Sequence, residues 1–176
     1  KYELSENISA EFSKRGIASI TALNKNNQHL FVYADNGYLV YPWIEGDTMG
    51  RNEISEFHAT KIAKIIAKLH AEQLALPDIT PQRFDIHSTK TLVEAIRQSN
   101  DCGCSFAATL NDHLDTLLAS NEQYQAIIPI LQQEAVVTHG DIDQLNVIWT
   151  GDDHPVLIDW ESARLMNPTR EIVRTS

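Results

Sequence analysis

The chain has 176 residues, 43% of them apolar and 22% charged, an ordinary globular composition long enough to bury roughly 70% of its unfolded surface without cross-links. Lys and Arg number 14 against 24 Asp and Glu, a net charge of −10, which argues against nonspecific nucleic-acid binding, a property that runs on Lys and Arg. No apolar run approaches the ~20 residues that span a bilayer, and no basic-then-apolar leader opens the chain, so the expected setting is cytoplasmic with no membrane partner.

Leu4, Ile8 and Phe12 recur at four-residue spacing before Gly16, which predicts a helix over residues 2–13 with a glycine stop. Ile17–Ala22, His29–Tyr33 and Tyr38–Tyr41 read as three strands of an antiparallel meander. Asn24–Asn27 and Asp35–Gly37 supply turn chemistry between them. Residues 51–135 read as helical. Ile54, Phe57, His58, Ile62, Ile65, Ile66 and Leu69 share one face, and Lys61, Lys64 and Lys68 another. Further helices are expected at 89–98, 106–119 and 122–133, the last disturbed by Pro129, with a loop at Gln98–Ser105. Short strands follow at Ala135–Thr138, Val147–Trp149 and Val156–Ile158, with a turn at Thr150-Gly151-Asp152-Asp153. Trp43, Trp149 and Trp160 read as core residues, with Trp43 alone placed to touch a base.

The chemistry concentrates near the C-terminus, in His139-Gly140-Asp141-Ile142-Asp143-Gln144-Leu145-Asn146 and, beyond one hairpin, Leu157-Ile158-Asp159-Trp160-Glu161. A hairpin brings its ends together, so Asn146 and Asp159 are expected to face one point. An amide oxygen and a carboxylate are hard ligands suited to Mg²⁺. Asp141, a few residues earlier in the loop, stays clear of the metal and can orient and deprotonate a hydroxyl. His139 reads either as a packed, hydrogen-bonded histidine or as a group with a direct role. Asp143 reads as solvated or substrate-facing. Two other chemistries fail. No Gly-x-Ser-x-Gly elbow positions a serine nucleophile. Cys102 and Cys104, with His87 and His113 nearby, match no zinc spacing.

His-Gly-Asp-x-x-x-x-Asn followed by Ile-Asp-Trp-Glu resembles the aminoglycoside phosphotransferase and choline kinase family, small-molecule kinases with a protein-kinase-like fold. The resemblance implies an α+β, two-lobed architecture. Residues 1–41 would form a partial N-terminal lobe, 42–46 a hinge, and 47–176 a mostly helical lobe with catalytic and metal loops. It implies transfer of the ATP γ-phosphoryl group to a hydroxyl of a small molecule such as an aminoglycoside, choline, another amino alcohol or a sugar. ATP and Mg²⁺ would be the cofactors, Asp141 the proton acceptor, and Asn146 and Asp159 the metal ligands. Glu161 reads as supporting that metal site or as structural.

Upstream, Leu39-Val40-Tyr41-Pro42-Trp43-Ile44-Glu45-Gly46 resembles the strand that runs into such a hinge. The Pro42 carbonyl and the Ile44 amide would then read the adenine edge. The alternative is a plain interlobe turn around a buried tryptophan. The first helix resembles the one whose glutamate pairs with a phosphate-binding lysine, with Glu6 the better candidate and Glu3 the other, although both also read as simple surface acids. His70, in Leu-His at the end of a helix, reads as a residue complementing the helix dipole. Glu171 stands where the family usually carries an aspartate and receives no catalytic role. The phosphate-covering loop and the lysine of the family are not in these residues. The chain therefore reads as the middle of a longer kinase or as a reduced relative. The competing functional reading is a noncatalytic, pseudokinase-like module that binds a ligand or partner.

Overall fold

A computed structural model describes residues 1–84, 86–151 and 153–175. They divide into two units, residues 1–82 with 134–176, and residues 83–133. Asp152, in the turn expected at 150–153, lies outside the described residues.

In the first unit, helix α1 (Tyr2–Lys14) buries Ile8 and Phe12, as the four-residue spacing predicts. Its end is closed by Gly16, whose carbonyl accepts the Lys68 ammonium at 2.7 Å. Helix α2 (Glu56–Ala71) carries that lysine and buries Ile66 and Leu69. Phe12 stacks on Trp160 with ring centroids 5.3 Å apart. Each ring buries enough apolar surface to stabilise the core by about 2–3 kcal/mol. Leu157, Val137, Ile142 and Val147 complete that core.

The expected meander is reduced to one hairpin, β1 (Phe31–Tyr33) and β2 (Asn36–Tyr38), turning through Ala34 and Asp35 in left-handed conformation. The turn falls one residue earlier than Asp35–Gly37. Asn26 and Asn27, also left-handed, make the tight turn expected near Asn24–Asn27. Residues 17–22 do not join the hairpin. They pair in parallel with Leu157, through Leu157 N–H to Ala18 at 2.9 Å and Ile20 N–H to Leu157 at 3.2 Å. Residues 39–41 form no strand. The acids of α1 provide the reason. Glu3 accepts the amides of His29 and Leu30, and Glu6 accepts that of Ala22. These donors would otherwise build a ladder.

The C-terminal part of this unit is two antiparallel pairs. β3 (Val136–Thr138) lies beside β6 (Arg164–Met166), with Val137 opposite Leu165. β4 (Val147–Thr150) lies beside β5 (His154–Leu157), with Val147 opposite Leu157. Helix α6 (Pro168–Thr175) follows β6. Residues 72–82 are irregular rather than helical and hold Pro77 and Pro81, which lack the amide a helix needs.

The second unit holds α3 (Thr89–Asp101), α4 (Ala107–Asp112) and α5 (Leu114–Leu131). Ser88 caps α3 by accepting the Thr91 amide. Asn111 donates to Asn100 at 2.7 Å, tying α4 to α3. The break expected between 119 and 122 is absent. α5 runs through Ser120, Asn121 and Pro129, because the Ser120 hydroxyl is satisfied on Thr116 and the Asn121 amide on His87. The chain breaks at His113 instead. Cys102 and Cys104 are free thiols. Among the described residues no helix is long and apolar enough to cross a membrane.

Candidate active site

The loop from β3 to β4 carries the site. Asp143, expected to be solvated or substrate-facing, caps a 3₁₀ turn over Gln144–Asn146, its carboxylate accepting the Leu145 and Asn146 amides at 2.8 and 3.1 Å. An aspartate three residues before a loop asparagine is cap chemistry, so the signal was present in the sequence. The cap fixes Asn146, whose side-chain amide donates to the Asp141 carbonyl at 2.9 Å and approaches the Asp141 carboxylate at 3.4 Å. The Asn146 carbonyl accepts the Ile158 amide at 3.0 Å. Asp159 is the next residue, so the hairpin sets it beside Asn146.

Asp159 stands on a left-handed backbone, φ 62° and ψ 64°, where the chain turns from β5 into a 3₁₀ turn over Trp160–Ser162. That region costs a non-glycine residue about 1–2 kcal/mol, and such strain concentrates at functional sites. Asn146, with its amide nitrogen turned to Asp141, retains its amide oxygen. The Asp159 carboxylate is exposed. One amide oxygen, one carboxylate and open water positions fit Mg²⁺, which takes few protein ligands and keeps its waters.

His139 behind the loop is fully buried, which excludes contact with a substrate. Its Nε2–H donates to the Ile158 carbonyl at 2.9 Å, and its ring lies 4.5 Å from that of Trp160. Burial pushes its pKa down, against the charges of Glu171, Asp159 and Asp141 and the Ile158 carbonyl, which act the other way, and the ring is therefore neutral. Its Nδ1 and the Trp160 indole N–H are buried without a partner among the described residues.

Gly140 has φ +84°, and a Cβ there would lie 2.3 Å from the Ser162 carbonyl oxygen. The glycine is thus a requirement of close approach. Its amide donates to Glu171 at 2.7 Å, and Glu171 also accepts from His70 at 2.5 Å. His70 is therefore more than a dipole partner of its helix. Nothing in the sequence signalled this pairing, because 101 residues separate the two.

The stretch 41–46 is irregular and largely exposed. Neither the Pro42 carbonyl nor the Ile44 amide takes part in a backbone hydrogen bond among the described residues. Trp43 is 85% exposed, its indole N–H on Glu45, so it is no core residue, whereas Trp149 and Trp160 are buried. Gly46 passes so close to β4 that a Cβ would lie 2.5 Å from the Trp149 carbonyl oxygen.

Tyr41 donates to Glu6 at 2.6 Å. Partial burial, that bond and the charges of Glu6, Asp159 and Glu161 push its phenol above the usual tyrosine range. Glu6 and Glu3 are not surface acids, since both are committed to backbone amides of residues 22–30. Glu161 pairs with Lys1 at 3.2 Å.

No curated protein sequence matches the chain. Among solved structures, a spectinomycin phosphotransferase in complex with ADP and spectinomycin superposes with a TM-score of 0.68 at 15% identity, over 97% of this chain and 56% of that one. An aminoglycoside phosphotransferase from Alicyclobacillus acidocaldarius gives 0.62 at 18% identity, over 97% of this chain and 56% of that one. A Plasmodium vivax ethanolamine kinase gives 0.58 at 21% identity, over 98% and 49%. The chain thus spans about half the length of the solved structures it matches, and it shares their protein-kinase-like α+β fold. The phosphotransferase enzyme family model matches residues 8–176. The loop of Asp141 and Asn146 and the hairpin to Asp159 lie within that match, and the chain belongs to the phosphotransferase enzyme family.

Proposed function

We propose that the protein of which this chain is part transfers the γ-phosphoryl group of ATP to a hydroxyl of a small molecule, an amino alcohol, aminoglycoside or sugar, in the cytoplasm. One observation carries the reading. Asn146 is bonded at once to Asp141, through its side chain, and to the residue before Asp159, through its carbonyl. Those two bonds support a reading in which a hydroxyl-facing carboxylate and two hard oxygen ligands serve one site. Residues 42–46 would form the hinge between a partial N-terminal lobe and the remainder, with the Pro42 carbonyl and Ile44 amide open to an adenine edge.

Asn146 and Asp159 would hold Mg²⁺, which when bound neutralises and aligns phosphate charge. Asp141 orients the acceptor hydroxyl and takes its proton late, since the transition state is loose and little base strength is required. The Asn146 amide keeps the Asp141 backbone in register while leaving its own oxygen for the metal. Neutral, buried His139 holds the Ile158 carbonyl and so fixes the approach to Asp159. Catalysis on this reading is positioning and electrostatics.

The test is calorimetry of Mg²⁺–ATP binding beside phosphoryl-transfer assays. Asp141→Asn is expected to bind Mg²⁺–ATP nearly as the unaltered chain does while losing about 10²–10⁴-fold in turnover. Asp159→Asn is expected to lose Mg²⁺-dependent nucleotide binding. Full turnover by Asp141→Asn would overturn the role given to that residue. Binding without turnover by the unaltered protein would establish the noncatalytic module instead.

A further inference from the structure

Cys102 and Cys104 stand either side of Gly103, and both are free thiols, Cys102 exposed and Cys104 half-buried. Helix α3 ends on them. The Cys102 amide donates to the Gln98 carbonyl at 2.9 Å, that of Gly103 to Asn100 at 3.0 Å and that of Cys104 to Ser99 at 2.9 Å. With Gly103 in left-handed conformation, φ +65°, the last two bonds form a Schellman close. The Cys104 carbonyl in turn accepts the Ala107 amide at 3.0 Å, at the start of α4. The backbone of the three residues is therefore held from both sides. Both cysteine side chains line one cavity of about 610 Å³, whose apolar wall includes Leu92, Ile96, Phe106 and Leu110.

We infer that Cys102 and Cys104 are a modification site, a dithiol that a low-molecular-weight disulfide converts reversibly to a Cys102–Cys104 bond. A bridge requires Cα atoms about 4.4–6.8 Å apart. A residue in helical conformation of either hand sets its two neighbours about 5.4 Å apart, as a Cα radius of about 2.3 Å and a rise of about 1.5 Å dictate. The left-handed glycine thus places the cysteines inside that window, whereas a fully extended one would set them near its upper limit. Their side chains share one cavity, so they do not point apart. The exposed Cys102 thiolate attacks one sulfur of the small disulfide, and the other sulfur leaves as a thiolate. Cys104, deprotonated, then attacks the Cys102 sulfur and displaces the second small thiolate. Two protein thiols are oxidised, one disulfide is reduced to two small thiols, and the two protons released end on those thiols. A ring closed over three residues constrains the unfolded chain very little, so the bond is no structural staple. Exposed disulfides belong to the labile class, which forms and reopens with the thiol poise of its surroundings.

The test equilibrates the chain with reduced and oxidised glutathione, quenches with acid and reads intact mass and peptide maps. The expected product is monomeric, has lost two hydrogens, carries the bond between residues 102 and 104, and returns to the dithiol in excess reduced glutathione. Cys102→Ser and Cys104→Ser are each expected to stop at one retained glutathione. Cys102→Ser is expected to react about tenfold more slowly of the two, because its remaining thiol is half-buried. The same titration in urea separates the folded turn from a flexible Cys-Gly-Cys sequence. At fixed reduced glutathione, the folded chain is expected to be half closed at an oxidised glutathione concentration at least about tenfold lower than the unfolded chain. Neither ATP nor an acceptor enters the assay, so its result is independent of the roles given to Asp141 and Asp159. Glutathione retained on both cysteines, disulfide-linked dimers in place of the internal bond, no reaction of either thiol, or half-closure at the same concentration in urea would overturn the inference.

Discussion

Gly140 and Gly151 both have positive φ, +84° and +63°, but their surroundings differ. A Cβ at Gly140 meets the Ser162 backbone at 2.3 Å, while one at Gly151 meets nothing within 4 Å. Alanine at Gly151 is expected to cost only the left-handed penalty, about 1–2 kcal/mol. Alanine at Gly140 adds a backbone collision and is expected to cost more than about 3 kcal/mol in urea unfolding. The site residues were legible to unequal degrees. Asp141, Asn146 and Asp159 stood out because a loop and one hairpin juxtapose them, and local spacing is visible in sequence. His139 was half read, since burial decides between its two readings and burial is tertiary. Trp43 was misjudged as core for the same reason. Glu171 and His70 each stood out in the sequence, but their meeting carried no signal, because it depends on contacts far apart in the chain.

Helix α1 shows how an element acts beyond its apolar face. Its periodicity gave the helix and the buried Ile8 and Phe12, but its acids decide the conformation of residues 22–30. Burial pushes the Glu3 carboxyl up, yet the His29 and Leu30 amides and nearby positive charge outweigh it and hold the pKa below 4.5. A depressed folded pKa contributes stability that is present above the unfolded value and lost as pH falls through the folded one. Glu3→Gln is therefore expected to lower stability by about 1 kcal/mol near neutral pH, measured by urea unfolding. The deficit is expected to shrink as pH falls through the depressed folded pKa of Glu3, where the unaltered carboxyl also loses its charge. The meander is smaller than expected because turn chemistry between apolar segments does not reveal that the Glu3 and Glu6 carboxylates take backbone donors of residues 22–30. The gap expected between helices 106–119 and 122–133 is not there, since Ser120 and Asn121 find partners that let the helix continue.

At the scale of the whole chain, the net charge of −10 bears on any anionic ligand. On the proposed reading, nucleotide approaches a protein of its own sign, and affinity depends on the local oxygens and their cation rather than on long-range attraction. Salt screens such repulsion beyond a Debye length of about 10 Å at 0.1 M. Mg²⁺–ATP affinity is accordingly expected to rise about two- to threefold between about 20 and 200 mM KCl in calorimetry. A fall would show that the site itself is locally positive.

The hairpin of β4 and β5 has a kinetic corollary. It joins residues close in sequence, and the Ile158–Asn146 bond closes its open end. Such hairpins form in about 1–10 μs. The bridge from Leu157 to Ser19 joins residues far apart in sequence, and its closure carries the larger entropic cost. Asn146 and Asp159 are thus neighbours by a local contact, whereas the joining of β5 to residues 17–22 closes a much longer loop.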